Sequence, residues 1–135
     1  MALNALEQWH EIIKTADASK LDALLADDCV FHSPVVHTPQ EGKEKSKMYL
    51  TAALLGLNGD FEYIKEVVSG NNAILEFQTK IGDTLINGVD MITWNEEEKI
   101  TDFKVMIRPL KAISLIHQKM GALLKKPKIN PPNKV

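Results

Sequence analysis

The sequence predicts a single α+β domain, with helices grouped around one mostly antiparallel sheet. Three observations lead there. Apolar residues recur at helical spacing in the first part of the chain and again near its end. Between Asp60 and Arg108 the pattern changes to strands separated by turn-like breaks. The length of 135 residues fits one domain, enough to bury roughly two thirds of the unfolded surface in one core.

The elements follow in order. Leu3, Leu6, Trp9 (or His10) and Ile13 form the apolar side of a first helix. Asp17 reads as the N-cap of a second, short helix carrying Leu21, Leu24 and Leu25, ended by Asp27-Asp28. Cys29 to Ser33 reads as a short strand. Residues 34–42 read as a loop, punctuated by Pro34, Pro39 and Gly42. A helix is expected from about Lys43 to Leu57, stopped by Gly56 and Asn58-Gly59.

Four strands then follow, broken at Ser69-Gly70-Asn71-Asn72, Gly82-Asp83 and Glu96-Glu97-Glu98-Lys99. Gly82-Asp83 suits a two-residue hairpin turn, whereas Glu97-Glu98 suits one poorly and implies a longer loop. Pro109 is placed to open a last helix. Leu110, Ile113, Ile116, Met120 and Leu123 are its expected stripe. The domain is expected over 1–124. Residues 125–135 form a basic, proline-rich tail, expected to be loosely ordered.

A net charge of −2 with a pI near 6.1 argues against nucleic acid or an anionic membrane as partner. One cysteine, Cys29, excludes a disulfide framework within the chain. Its apolar neighbours mark it as a buried structural thiol. No basic-then-apolar leader or membrane-length apolar run occurs, so a cytoplasmic protein is expected. Phosphate-loop, Cys-x-x-Cys and Gly-x-Ser-x-Gly patterns are absent.

Strand parity then selects one residue. A turn at Gly82-Asp83 sets Leu75 opposite Asp90 and Phe77 opposite Gly88. A turn centred on Glu97-Glu98 sets Asp90 opposite Val105 and Ile92 opposite Phe103. Opposed residues share a face. One face then carries Ala73, Leu75, Phe77, Ile86, Asp90, Ile92, Phe103 and Val105, and the other is mixed. Asp90 is the one ionisable group on the core face of the last three strands. Burial disfavours its charged form and raises its pKa, which marks a site candidate. A structural acid held by Tyr, His or backbone donors is the alternative. Glu66 has no fixed orientation, because the loop before Ala73 does not set the register of its strand.

His32 and His37 lie five residues apart across Ser33-Pro34, but two histidines without a clear third ligand do not make a zinc site. No metal and no cofactor are expected. Tyr49, on the long helix, can aim its hydroxyl inward, and Trp9 lies on the apolar side of the first helix. Asp90, His32 and Tyr49 are the candidate catalytic residues.

The element order, with Asp17 before Leu-Asp-Ala-Leu-Leu-Ala-Asp-Asp, then Val30-Phe31-His32-Ser33-Pro34 and Gly88-Val89-Asp90-Met91-Ile92, resembles the SnoaL-like branch of the nuclear-transport-factor-2-like superfamily. The resemblance spans roughly residues 3–124. It implies a cone-shaped, curved sheet wrapped round a long helix, a pocket between sheet and helices, and a homodimer through the outer sheet face. Trp9, Leu75, Phe77, Phe103 and Val105 are then the candidate pocket wall, with His32 and His37 flanking the loop that would rim it. It also implies either catalysis of the cyclase, isomerase, epoxide hydrolase or dehydratase kind, or none. Cyclases and epoxide hydrolases of this group usually carry an acid or histidine facing the pocket on the last strand, where this chain has Phe103, Val105 and Ile107.

Two functions follow from this reading. One is cofactor-independent proton transfer on a small apolar or ring-bearing molecule, with Asp90 as acid or base. The other is a non-catalytic domain for apolar-ligand binding or dimerisation.

Overall fold

The computed structural model describes residues 4–57 and 59–125; expectations for Leu3, Asn58 and residues 126–135 of the tail lie outside them, while Lys125, expected in the tail, ends the last helix. Helix α1 spans Ala5–Thr15. Asn4 caps it by accepting from the Glu7 N–H, and the Glu7 side chain accepts from Asn4 N–H in return. Its core residues are Ala5, Leu6, Trp9 and Ile12. Ile12 thus takes the fully buried place expected of Ile13, which is half-buried.

Asp17 is an N-cap, as the sequence predicts, accepting from Ser19 N–H. The helix it opens is shorter than expected. A 3-10 turn, Ala18–Lys20, runs into one turn of helix α2, Leu21–Leu24. Strand β1 then begins at Leu25 and runs to His32, four residues earlier than expected. The reason is tertiary: Leu25 adopts extended backbone and pairs with Ile100 on the last strand. Asp27 and Asp28 do not end a helix. They stand exposed within β1, where its pairing register shifts. The expected loop also contains a two-residue strand, β2 (Gln40–Glu41), paired with Val30 and Phe31.

Helix α3, Lys43–Leu57, matches its expected bounds. The meander is β3 (Glu62–Ser69), β4 (Asn72–Ile81), β5 (Thr84–Trp94) and β6 (Ile100–Arg108). Helix α4 spans Leu110–Lys125. The Pro109 carbonyl accepts from the Ala112 and Ile113 N–H groups, so Pro109 stands just outside the helix. Ala112 and Ile116 are its buried contacts, while Leu110 is 76% exposed and leaves the expected stripe.

The six strands form one sheet in the order β2-β1-β6-β5-β4-β3. β1 and β6 run parallel and every other neighbouring pair is antiparallel. The registers expected for both later hairpins are present: Leu75 faces Asp90, Phe77 faces Gly88, Asp90 faces Val105 and Ile92 faces Phe103. The acidic turn absorbs its extra length locally. Glu98 takes a left-handed φ of 61°, and the pairing slips only between Thr93 and Trp94.

Burial follows the predicted faces. Leu75, Phe77, Ile86, Asp90, Ile92 and Phe103 are buried, whereas Ile74 and Met106 on the other face are 42% and 49% exposed. α1, α3 and α4 cover the inner face, and the core residues lie between them and the sheet.

Candidate functional site

The core is not filled completely. A cavity of about 240 Å³ lies between the inner face of the sheet and helices α1, α3 and α4. Its walls are apolar and aromatic: Trp9 from α1, Tyr49 and Leu54 from α3, Phe77 from β4, Phe103 and Val105 from β6, and Ile116 and Met120 from α4. Pro34, Val35 and Val36 contribute from the loop after β1. An engineered apolar cavity of ~150 Å³ accepts benzene, so this volume suits a small ring-bearing molecule.

Asp90 lines this cavity and is 5% exposed. Its Oδ2 accepts a hydrogen bond from the Tyr63 hydroxyl. The Tyr63 oxygen in turn accepts from Trp9 Nε1–H at 2.9 Å. Among the described residues the Asp90 carboxyl has no other hydrogen-bond partner. Burial pushes the Asp90 carboxyl up to about 7, opposed in part by the Tyr63 hydrogen bond, which favours the carboxylate. Burial first, and then the neighbouring Asp90 charge, hold the Tyr63 hydroxyl well above its ordinary value, so it stays protonated.

Tyr63 is not singled out by the sequence, which leaves the register of its strand open; a β-bulge brings it in. The Gly70-Asn71 turn sets Glu66 opposite Leu75. Simple alternation from there would turn Ile64 and Glu62 inward. Instead the register shifts between Tyr63 and Lys65, and Tyr63 pairs with Phe77. The extra residue reverses parity. Ile64 is 47% exposed, while Tyr63 and Phe61 meet the Phe77 ring. Phe61-x-Tyr63, two aromatics with strand spacing, was the available signal. Glu66 does not enter the cavity: its Oε1 meets His10 Nε2 at 2.7 Å at the sheet margin.

The other predicted residues divide. Tyr49 lines the cavity, its ring stacked on Phe31 with centroids 5.5 Å apart. Its hydroxyl has no protein partner among the described residues. Trp9, Phe77, Phe103 and Val105 line the cavity, as the expected wall requires. Leu75 does not: it is 0% exposed and packs in the core beneath the wall.

His32 is not brought to Asp90. Phe31 faces inward opposite Phe103, so alternation turns His32 outward, where its Nε2 lies 2.9 Å from Asp102 Oδ1. His37 is exposed in the loop and does not line the cavity. The histidine that does line it is His117 on α4, which the sequence reading did not single out. Ser33 also lines it, but its hydroxyl oxygen already accepts from Val35 and Val36 N–H. Among the described residues no three His, Cys, Asp or Glu side chains converge as metal ligands, and no helix is long and apolar enough to cross a membrane.

Fold and site together define an α+β domain of the nuclear-transport-factor-2-like kind, with an apolar cavity and one buried acid in its wall. More narrowly, the chain belongs to the SnoaL-like domain family, whose profile matches residues 6–103. Among solved structures, a steroid delta-isomerase from Pseudomonas aeruginosa is 35% identical with a TM-score of 0.85, covering 89% of this chain and 88% of its own. An uncharacterised bacterial protein with a cystatin-like fold from Silicibacter pomeroyi is 31% identical with a TM-score of 0.81, over 87% and 83% of the two chains. The epoxide hydrolase/cyclase-like enzyme SalBIII, at 15% identity and a TM-score of 0.64 over 77% and 88% of the chains, shares the fold. No curated protein matches the chain in sequence.

Proposed function

We propose that this chain binds a small, neutral, ring-bearing molecule in the cavity and moves a proton on it without a cofactor, with Asp90 as acid or base. The observation that carries this reading is the buried Asp90 carboxyl, the one acid among the described lining residues, set in a largely apolar wall where burial pushes it up to about 7. A group titrating near neutral pH can both give and take a proton there. Tyr49 offers an unpartnered hydroxyl to the same space. The isomerase named for the 35% identical relative is consistent with this class of chemistry.

The test is exchange of α-protons in D2O across a panel of cyclic ketones, followed by NMR, with Trp9 fluorescence reporting binding. Asp90→Asn is expected to lower exchange of the accepted ketone by about 10²–10⁴-fold, the usual contribution of a general acid or base. Equal rates in the two chains would remove Asp90 from the chemistry. Binding without exchange in either chain would support the second reading, a non-catalytic ligand-binding domain. The absence of an acid or histidine among Phe103, Val105 and Ile107 on β6 favours that alternative.

A homodimer through the outer sheet face belongs to the same proposal. Val67, Ile74 and Met106, each 42% exposed or more, share that face with a polar ladder. In it Arg108 Nε donates to Asn87, and Asn87 Nδ2 donates to Glu76. An apolar patch rimmed by polar groups is typical of an interaction surface. Native mass spectrometry is expected to show a dimer that Ile74→Glu converts to monomer. A clean monomer of the unmutated chain at micromolar concentration would rule the dimer out.

A further inference from the structure

We infer that Asp90, when protonated, carries its proton on Oδ1 and presents that O–H to the cavity, because a one-way chain of donors starting at Trp9 makes Oδ2 an acceptor. The inference rests on the reading of Asp90 as the ligand-facing acid and adds the direction in which it acts. The indole N–H is a donor with no acceptor capacity. Trp9 Nε1–H points at the Tyr63 oxygen, so Tyr63 receives there and its own hydrogen is free for Asp90 Oδ2. The carbonyl oxygen of a neutral carboxyl is its stronger acceptor, so an Oδ2 that takes this hydrogen favours placing the acidic hydrogen on the other oxygen. That oxygen has no protein partner among the described residues, and Asp90 is part of the cavity wall.

The chain spans three elements, α1, β3 and β5, and depends on the bulge that turns Tyr63 inward. Tyr63 does not itself line the cavity. Trp9 and Tyr63 are therefore positioning residues for Asp90. Other ionisable groups around the acid are few. Tyr49 from α3 and His117 from α4 line the same cavity. His10 and Glu66 lie beyond Tyr63 and pair with each other. From β4 and β6 the acid meets Leu75 and Val105, which do not titrate. A ligand with an acceptor oxygen, as in a carbonyl, ether or hydroxyl group, meets a donor at neutral pH and below. No lysine or arginine is among the described lining residues to meet a ligand carboxylate.

The experiment is infrared difference spectroscopy of the ligand-free protein, titrated through neutral pH. It needs no substrate, so it stands or falls separately from catalysis. The unmutated chain is expected to show a protonated-carboxyl C=O band that disappears with a midpoint near 7 and is missing from Asp90→Asn. Tyr63→Phe keeps the ring against Phe61 and Phe77 but deletes the donor to Oδ2. It is expected to raise the midpoint by roughly one to two pH units, the size of one hydrogen bond to a charged group, and to move the C=O band to higher frequency. Trp9→Phe is expected to move both readouts in the same direction and by less. A Tyr63→Phe chain that folds, by circular dichroism, with unchanged midpoint and band would overturn the inference. So would a raised midpoint with an unmoved C=O band, because Oδ2 would then be the protonated oxygen.

Discussion

Asp90→Asn is expected to stabilise the folded chain by up to about 4 kcal/mol above pH 8 and to change it little near about pH 4. The unfolded carboxyl ionises around its model value of 3.8, whereas the folded one holds its proton to about 7. Between those values the folded state binds the extra proton, so stability falls as pH rises. Above 7 the loss is complete. The rise is about three units, and at 1.36 kcal/mol per unit this gives about 4 kcal/mol. An amide cannot ionise, and its oxygen can still accept from Tyr63. Urea denaturation of both chains across this pH range isolates the effect, since every other titrating group is common to them. Parallel pH profiles would mean that burial does not hold this carboxyl neutral. The expected pattern, more stable without the acid and poorer at its chemistry, is the usual trade at a functional site.

Gly88→Ala is expected to destabilise the fold by about 3 kcal/mol, at the upper end of overpacking costs. A methyl group there would stand 2.5 Å from Phe77 Cζ and 2.6 Å from the Met106 carbonyl oxygen. The Phe77 ring lies over the glycine because the two residues are paired across β4 and β5. Turning Phe77 aside could relieve the first contact at the expense of the cavity wall and of the Phe61 stack, whose centroids are 5.0 Å apart. The second contact is to backbone of the neighbouring strand and needs a shift of the sheet itself. Thermal melts measure the loss. A melting temperature within about a degree of the unmutated chain would show that Phe77 and β6 yield easily. The glycine two residues before Asp90 thus has a packing reason to lack a side chain.

The core face of β4, β5 and β6 was legible because strand parity is rigid once two hairpin turns are located. Leu75, Asp90 and Val105 fell where alternation put them. The same rule failed wherever pairing was irregular or distant in sequence. His32 was assigned to the rim from its loop, but parallel pairing of β1 with β6 turns it to Asp102. Leu75 was assigned to the wall from its face, yet sharing a face with a cavity does not place a residue next to it. The start of β1 was hidden by helical spacing in Leu21, Leu24 and Leu25, which its partner Ile100 overrides.

By itself the sequence determined the α+β class, the order of the major elements, the registers of the two later hairpins and the inward place of Asp90. Those depend on local periodicity and on turns between neighbouring strands, which a chain carries in its own order of residues. Only the tertiary structure decided what Asp90 touches. One extra residue at Ile64 reverses the parity of β3 and brings in Tyr63. The packing of α1 over that strand then supplies the Trp9 donor. Phe61-x-Tyr63 marks an inward face but not the extra residue after it, and a contact between α1 and β3 spans 54 residues, beyond the reach of any local pattern.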